Sequence, residues 1–303
     1  MPFSIRGAAL ALVCSTSAVG AHADGPFPGP EPTTTFGSSK LLLTGGVASI
    51  DGAAGGGLTP WALTGGHASE HEIGATAAAT RVVTRDYALT GYAAAFAWNE
   101  RVEVSLAHQD FDASAAVPGA TLRMDIVGLK VRIAGDAILL DSDRWVPQVA
   151  VGLESKHASP GAAVGGVLDA VQAKRDGIDV YVSATKLLLG PGVLLNGTLR
   201  ATKANQNGLL GFGSVDHDRY RFKPEVSVAW LLNRHLAVGA EVRTKPDNLL
   251  FAGEAFRENA WRDVFIAWAP VKRVSLTAAW VDLGNIVGKQ DQTGMYLSGQ
   301  FSF

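Results

Sequence analysis

The chain ends on GMYLSGQFSF, Gly294 to Phe303, and the reading of this stretch decides the fold. Met295, Leu297, Gly299, Phe301 and Phe303 fall on one face of an extended segment, and Tyr296, Ser298, Gln300 and Ser302 on the other. A period of two with one apolar and one polar face belongs to a strand between two different solvents. A terminal aromatic after such a strand looks like the signal read by outer-membrane assembly machinery, with Phe301 and Phe303 as its aromatic residues.

The same alternation recurs upstream. In Arg219 to Trp230, Tyr220, Phe222, Val226, Val228 and Trp230 oppose Arg219, Arg221, Lys223, Glu225 and Ser227. Leu236, Val238, Ala240 and Val242 oppose Glu241, Arg243 and Lys245, and Val193, Leu195 and Leu199 oppose Asn196, Thr198 and Arg200. About fourteen such segments are counted from Lys40 onward, with twelve the lower count; continuous apolar stretches long enough for a membrane helix, ~18 residues, are missing. The links between them alternate in length when counted back from Phe303: 283–293 is long, 270–273 short, 246–259 long, 232–234 short, 205–218 long and 190–192 short. A soluble sandwich has no reason to sort its links, whereas a membrane barrel puts tight turns at the periplasmic end and loops outside. The expected fold is therefore all-β, an antiparallel transmembrane outer-membrane β-barrel with Phe303 at its periplasmic end. Trp98, Trp145, Trp230 and Trp268 lie beside short links, and Tyr87, Tyr220, Trp261 and Trp280 towards the opposite ends, as two interfacial aromatic girdles would.

The N-terminus reads as an export signal: Arg6 precedes a small and apolar stretch from Gly7 to Val19, and Ala21-His22-Ala23 offers a cleavage site. Cleavage near Ala23 removes Cys14, the only cysteine, so the mature chain has no thiol chemistry. The expected organisation is a signal peptide at 1–23, a Pro-rich leader at 24–39 and a single barrel domain at 40–303. A formal net charge of −2 gives no footprint for nucleic acid.

The stretches KLLLTGGVASIDGAAGGGLTPWA (40–62), DIVGLKVRIAGD (125–136), VSATKL (182–187), NGTLRATKANQNGLLGFG (196–213), AVGAEVRTKPDNL (237–249) and VDLGNI (281–286) resemble a proteobacterial family catalogued only as a domain of unknown function. The resemblance spans nearly the whole mature chain. It implies a secreted, β-rich protein and brings no activity, ligand or catalytic residue.

Four patterns could carry chemistry. His67-Ala68-Ser69-Glu70-His71 matches an inverted zinc-peptidase motif, but two histidines four apart chelate one metal only on a helix, and this pentapeptide reads as a polar turn after Gly65-Gly66. His108 and Asp110 share one face of a strand near its loop end, where a barrel-rim hydrolase would place them, with no serine assignable. The glycine run at 52–57 lacks the Lys-Ser or Lys-Thr of a phosphate loop and reads as a flexible turn between strands. Ala163, Val164, Val167, Leu168 and Val171 recur at helical spacing inside the longest outer loop, as a cap or a constriction.

Residues phased inward include Lys130, Arg132, Lys156, Arg200, Arg219, Arg221, Lys223, Arg243 and Lys245, against Glu103, Glu154, Asp179, Glu225 and Glu241. Two readings follow: a slightly basic lumen that favours anions, or cross-strand ion pairs such as Arg221 or Lys223 with Glu241 that only keep a polar interior satisfied. The leading functional expectation is a narrow passive pore for small solutes, without cofactor, metal or catalytic residues, and with lipid and the assembly machinery as partners. A non-conducting structural or binding barrel is the alternative, and a rim hydrolase the third.

Overall fold

The computed structural model describes residues 35–36, 40, 43, 45–69, 71–137 and 146–303. The signal sequence with Ala23, the leader apart from 35–36, Glu70 and Trp145 lie outside the described residues.

Twelve strands form the barrel: β1 (Glu72–Thr84), β2 (Ala88–Trp98), β3 (Val102–Asp112), β4 (Thr121–Ala134), β5 (Gln148–Ser159), β6 (Asp176–Leu188), β7 (Val193–Thr202), β8 (Arg221–Asn233), β9 (Leu236–Arg243), β10 (Trp261–Val271), β11 (Val274–Asp282) and β12 (Thr293–Ser302). Each pairs antiparallel with the next, and β12 returns to β1 from Gly294 opposite Thr84 to Ser302 opposite Thr76. The sheet closes, so no strand edge remains for lipid to meet an unpaired backbone group. Thr35–Phe36 adds a short parallel pairing to β1.

The count is the lower of the two expected, because Lys40 to Ala62 supplies no wall strand. In its place, residues 45–66 fold inside the barrel. They enter at the end that carries Phe303, where the His67 amide donates to the Phe303 carbonyl (2.9 Å). Val47–Ala48 pairs antiparallel with Ala54–Gly55, and the tip of this hairpin, with Asp51, points to the outer end. The glycine run read as a flexible turn is fully buried here. A Cβ on Gly56 would stand 2.2 Å from Glu241 Oε1, so a larger residue there would push aside the carboxylate that holds the Leu58 amide.

Most links sort as a membrane barrel requires; the exception is 135–147, a long link at the Phe303 end of which 138–145 lie outside the described residues. At the Phe303 end Asn99 and Glu100 both take positive φ (55° and 49°), the geometry of a two-residue type I′ hairpin turn, and 234–235 and 272–273 are equally tight. The outer end carries 113–120, 160–175, 203–220, 244–260 and 283–292, with 85–87 its single short link. Helix α1 (Gly161–Ala170) forms at the expected helical spacing and buries Val164 and Leu168. Among the described residues no helix is long and apolar enough to cross a membrane.

Outward positions are apolar along β8 to β12, among them Val226, Val228, Val264, Ile266, Leu276 and Leu297. Trp98, Trp230 and Trp268 face outward near the inner end, and Tyr220 and Trp280 near the outer one, so the girdle assignment fits these five. Tyr87 and Trp261 do not belong to it: Trp230 is 53% exposed and Trp261 only 4%, because Trp261 shares its phase with Asp263 and points inward.

Candidate functional site

Wall side chains meet the backbone of the 45–66 segment almost residue by residue. The amides of Gly65 and Ala54 donate to Glu103 (2.6 and 3.1 Å), and Lys130 Nζ donates to the Ala54 carbonyl (3.0 Å) while pairing with Glu103 (2.9 Å). The Ala62 amide donates to Thr185, and Gln148 donates to the Ala62 carbonyl (2.8 and 2.7 Å). The Pro60 carbonyl accepts from Thr198, Ser183 and Asn196 (2.8, 3.2 and 3.3 Å). Glu241 accepts from the Leu58 amide (2.7 Å) and from the Thr59 and Ser227 hydroxyls (both 2.6 Å). Gln300 and Gln109 hold the Ala48 amide and the Ile50 carbonyl (2.6 and 2.7 Å). A segment whose own ladder is only two residue pairs long must satisfy most of its amides and carbonyls elsewhere when it is buried. The inward polar residues of this barrel do that for the segment, which explains why they are there.

Near the tip the contacts become ionic. Asp51 lies 2.7 Å from Arg243 Nη1, 3.4 Å from Lys156 Nζ and 3.7 Å from Arg200 Nη2, and accepts from Asn207 Nδ2 of the 203–220 loop (2.7 Å). Arg200 is the hub, bonded to Glu154 (2.6 Å) and Glu225 (2.5 Å), with Asp179 at 3.6 Å. Lys156 also reaches Asp179 (3.0 Å) and Glu154 (3.2 Å). Charges removed from water persist only when paired in this way.

Ten of the fourteen expected inward residues are buried in the interior or its outer mouth: the basic Lys130, Lys156, Arg200, Arg243 and Lys245, and the acidic Glu103, Glu154, Asp179, Glu225 and Glu241. Arg132 sits at the inner rim, bonded to the Gly135 carbonyl (2.7 Å) and 3.6 Å from Glu100. Arg219 and Arg221 are exposed and Lys223 half-buried, because the ladder ends where Arg221 meets Thr202. Glu241 therefore serves the inner segment and not Arg221 or Lys223. A basic lumen is not what forms. Among the described residues eight buried carboxylates face six buried lysines and arginines, and Asp51, which pairs three of those cations, carries no inward phase in the sequence because it belongs to no wall strand.

The remaining patterns do not assemble a catalytic centre. His67 is buried at the inner end while His71 has a positive φ (64°), so the two share no helical face. Among the described residues no group of three His, Cys, Asp or Glu could hold a metal ion. His108 faces outward on β3, its ring held by Asp125 (2.7 Å) and Asp110 (3.2 Å), two carboxylates and no hydroxyl.

Two outer loops are tied by charge. Asp218 pairs with Lys174 (2.6 Å) and Lys203 (2.7 Å), and these bonds hold its carboxyl down to about 2. A carboxyl depressed below its unfolded value stabilises above that value, near 4, and its contribution disappears as pH falls through about 2. Acidification from pH 4 to 2 should therefore loosen residues 203–220 against 160–175. Amide exchange in 203–220, corrected for the intrinsic rate, should rise over that window, and Asp218→Asn should show the faster exchange already at pH 6 and no further change on acidification.

At the outer mouth α1 and the loops close over a cavity of about 440 Å³, floored by Ile50 of the inner segment. Its walls are Leu89, Phe111 and Leu122 of β2 to β4, with Leu209, Leu249 and Trp261 opposite. Sequence reasoning gave α1 as a cap or a constriction but not the space beneath it.

The profile of the family described as "Protein of unknown function (DUF3034)" matches residues 44–300, and the chain belongs to that family. No curated protein matches it. Solved structures similar to it include a KdgM porin (9% identity, 75% of this chain and 99% of that one, TM-score 0.48) and a NanC porin (9%, 76% and 98%, TM-score 0.49). The outer membrane protein Omp33 of Acinetobacter baumannii is similar at 8% identity over 76% of this chain and 97% of that one, with a TM-score of 0.42. No residue role is taken from them.

Proposed function

We propose that this family member is a plugged outer-membrane barrel of the binding class, which takes small solutes at its outer mouth and does not conduct in its resting state. Residues 1–23 are its export signal, Phe301 and Phe303 its assembly signal, and it works without metal, cofactor or catalytic group. The observation that carries this reading is the occupied lumen: residues 45–66 lie inside the barrel, bonded to inward side chains of β3, β5, β6, β7, β9 and β12.

A second reading, a narrow pore gated by the same segment, has one observation in its favour. Many of the contacts that hold 45–66 are polar or ionic, and water can replace them at modest net cost when the segment moves. Planar bilayers separate the two. Wild-type protein should insert and stay silent, without sustained discrete steps at either polarity. Frequent discrete steps from the wild type at neutral pH would sink the resting-state plug, whereas steps that appear only under mild urea and vanish on its removal would favour the gated pore.

A further inference from the structure

The cavity beneath α1 adjoins the ionic network at Trp261, whose ring centre lies 5.9 Å from the Arg243 guanidinium and 4.8 Å from Lys245 Nζ, yet the chemistry of its lining is of the opposite kind. Its lining is apolar from the floor at Ile50 to the roof at Val164 and Leu168. A dry cavity forfeits the dispersion contacts its lining atoms would make, and one of roughly 150 Å³ lined by such residues is enough to take up benzene. This one is about three times that size, which suits a molecule of two rings or a branched hydrocarbon skeleton.

The few polar lining groups define the ligand further. Tyr87 donates its hydroxyl to the Val287 carbonyl (3.0 Å). Gln206 is used at both ends of its amide, donating to the Asn285 carbonyl (3.0 Å) and accepting from Lys245 (2.9 Å). Thr84 donates to Gln292 (2.9 Å). Lys289, the only charged lining residue, lies 4.0 Å from Asp86. What is left is the indole N–H of Trp261, buried and without a hydrogen-bond partner. An unpaired buried donor is costly and is a place for a ligand acceptor.

We propose that this cavity is a binding site for a small, neutral, mostly apolar molecule with one hydrogen-bond acceptor that pairs with Trp261. The polar lining groups other than Trp261 are already engaged, and the one charged lining residue, Lys289, is 41% exposed and shared with Asp86, so a buried charged ligand would be poorly compensated there. The site rests on the solute-binding reading above and names its solute class. The inner segment supplies its floor, so what binds there sits against Ile50, the neighbour of Asp51 in the chain.

Benzophenone tests this, since it is two rings around one carbonyl and crosslinks on irradiation. In full-length protein reconstituted in lipid nanodiscs, labelling should saturate and map to α1 or to residues 206–210. Diphenylmethane, the same shape without the acceptor, should compete more weakly, and the anion 4-benzoylbenzoate more weakly still. Trp261→Phe keeps a ring and removes the donor; it should weaken benzophenone by roughly three- to tenfold and leave diphenylmethane unchanged. Val164→Trp, on a helix outside the barrel wall, should fill the space and abolish mapped labelling while the heat-resistant folded form on gels stays intact. Labelling that does not saturate or maps only to the lipid face would overturn the site, as would full labelling in Val164→Trp. An anion that binds as well as benzophenone would overturn the neutral class, and a Trp261→Phe variant with unchanged preference would overturn the acceptor. Conducting wild-type protein that keeps this labelling would sink the plugged reading alone; a silent barrel without labelling would sink the site alone.

Discussion

Replacing Arg200 with methionine should remove the heat-resistant folded form of the barrel at temperatures where the wild type keeps it. Arg200 stands on β7 between Glu154 and Glu225, 2.6 and 2.5 Å away, with Asp179 and Asp51 at 3.6 and 3.7 Å. Methionine fills much of the same volume, so the loss is electrostatic. Four buried carboxylates would then share Lys156 and Arg243. Removing one partner of a single buried pair costs about 3–5 kcal/mol, and this residue serves several, so the effect belongs at or above the top of that range. Arg200→Lys keeps the charge but not the planar fork that reaches Glu154 and Glu225 together, and should fall between. Adding Glu154→Gln and Glu225→Gln to Arg200→Met should restore part of the folded band, because the uncompensated charge goes with them. Cold and boiled samples on semi-native gels across a temperature series read all four proteins. An Arg200→Met barrel that melts with the wild type would show that the network contributes little.

The wall of this barrel was legible because each strand carries its own evidence. Val226, Val228 and Trp230 stand outward and Glu225 and Ser227 inward, as their parity in the sequence requires. Link lengths carried the next level, since four of the five inner links need only two to four residues, 135–147 being the exception, while the outer loops bear the cap and the mouth. The inner segment was not legible, for a physical reason. Residues 40–62 hold enough β-branched and apolar residues to pass for wall strands, and what places them inside is a set of partners far along the chain: Glu103 on β3, Gln148 on β5, Ser183 on β6 and Glu241 on β9. Local periodicity cannot register such partners. The glycines were the available signal, because a wall strand with Gly52 and Gly55 to Gly57 would offer lipid almost no side chain, whereas a backbone passing Glu241 has little room for one. Trp261 could have been placed by parity alone, sharing a face with Asp263 and Phe265. Arg219 and Arg221 show the converse limit, since the correct parity says nothing about where a strand leaves the wall.

Asp51→Ala should act on the inner segment and leave the wall alone. The carboxylate is the segment's one ionic anchor, with Oδ2 2.7 Å from Arg243 and Oδ1 taking the Asn207 amide at 2.7 Å and Lys156 at 3.4 Å. Its loss leaves buried cations facing alanine, a cost of about 3–5 kcal/mol. The twelve-strand ladder closes without any residue of 45–66, so the cost falls on the segment's own opening equilibrium. At about 1.4 kcal/mol per factor of ten, opening should become roughly a thousandfold more frequent. Amide exchange at 47–63 should quicken accordingly while β1 to β12 keep their protection, and brief conductance steps should appear in bilayers where the wild type is silent. Asp51→Asn retains an acceptor for Asn207 and Arg243 without the charge and should give a smaller effect. Arg243→Met in the Asp51→Ala background removes the principal stranded cation, so the double variant should exchange more slowly than the sum of the two single changes predicts, by about 0.5–3 kcal/mol of coupling. If 47–63 and the strands quicken together, the segment is part of the barrel's own cooperative unit and cannot serve as a separate plug; if neither quickens, Asp51 does not anchor it.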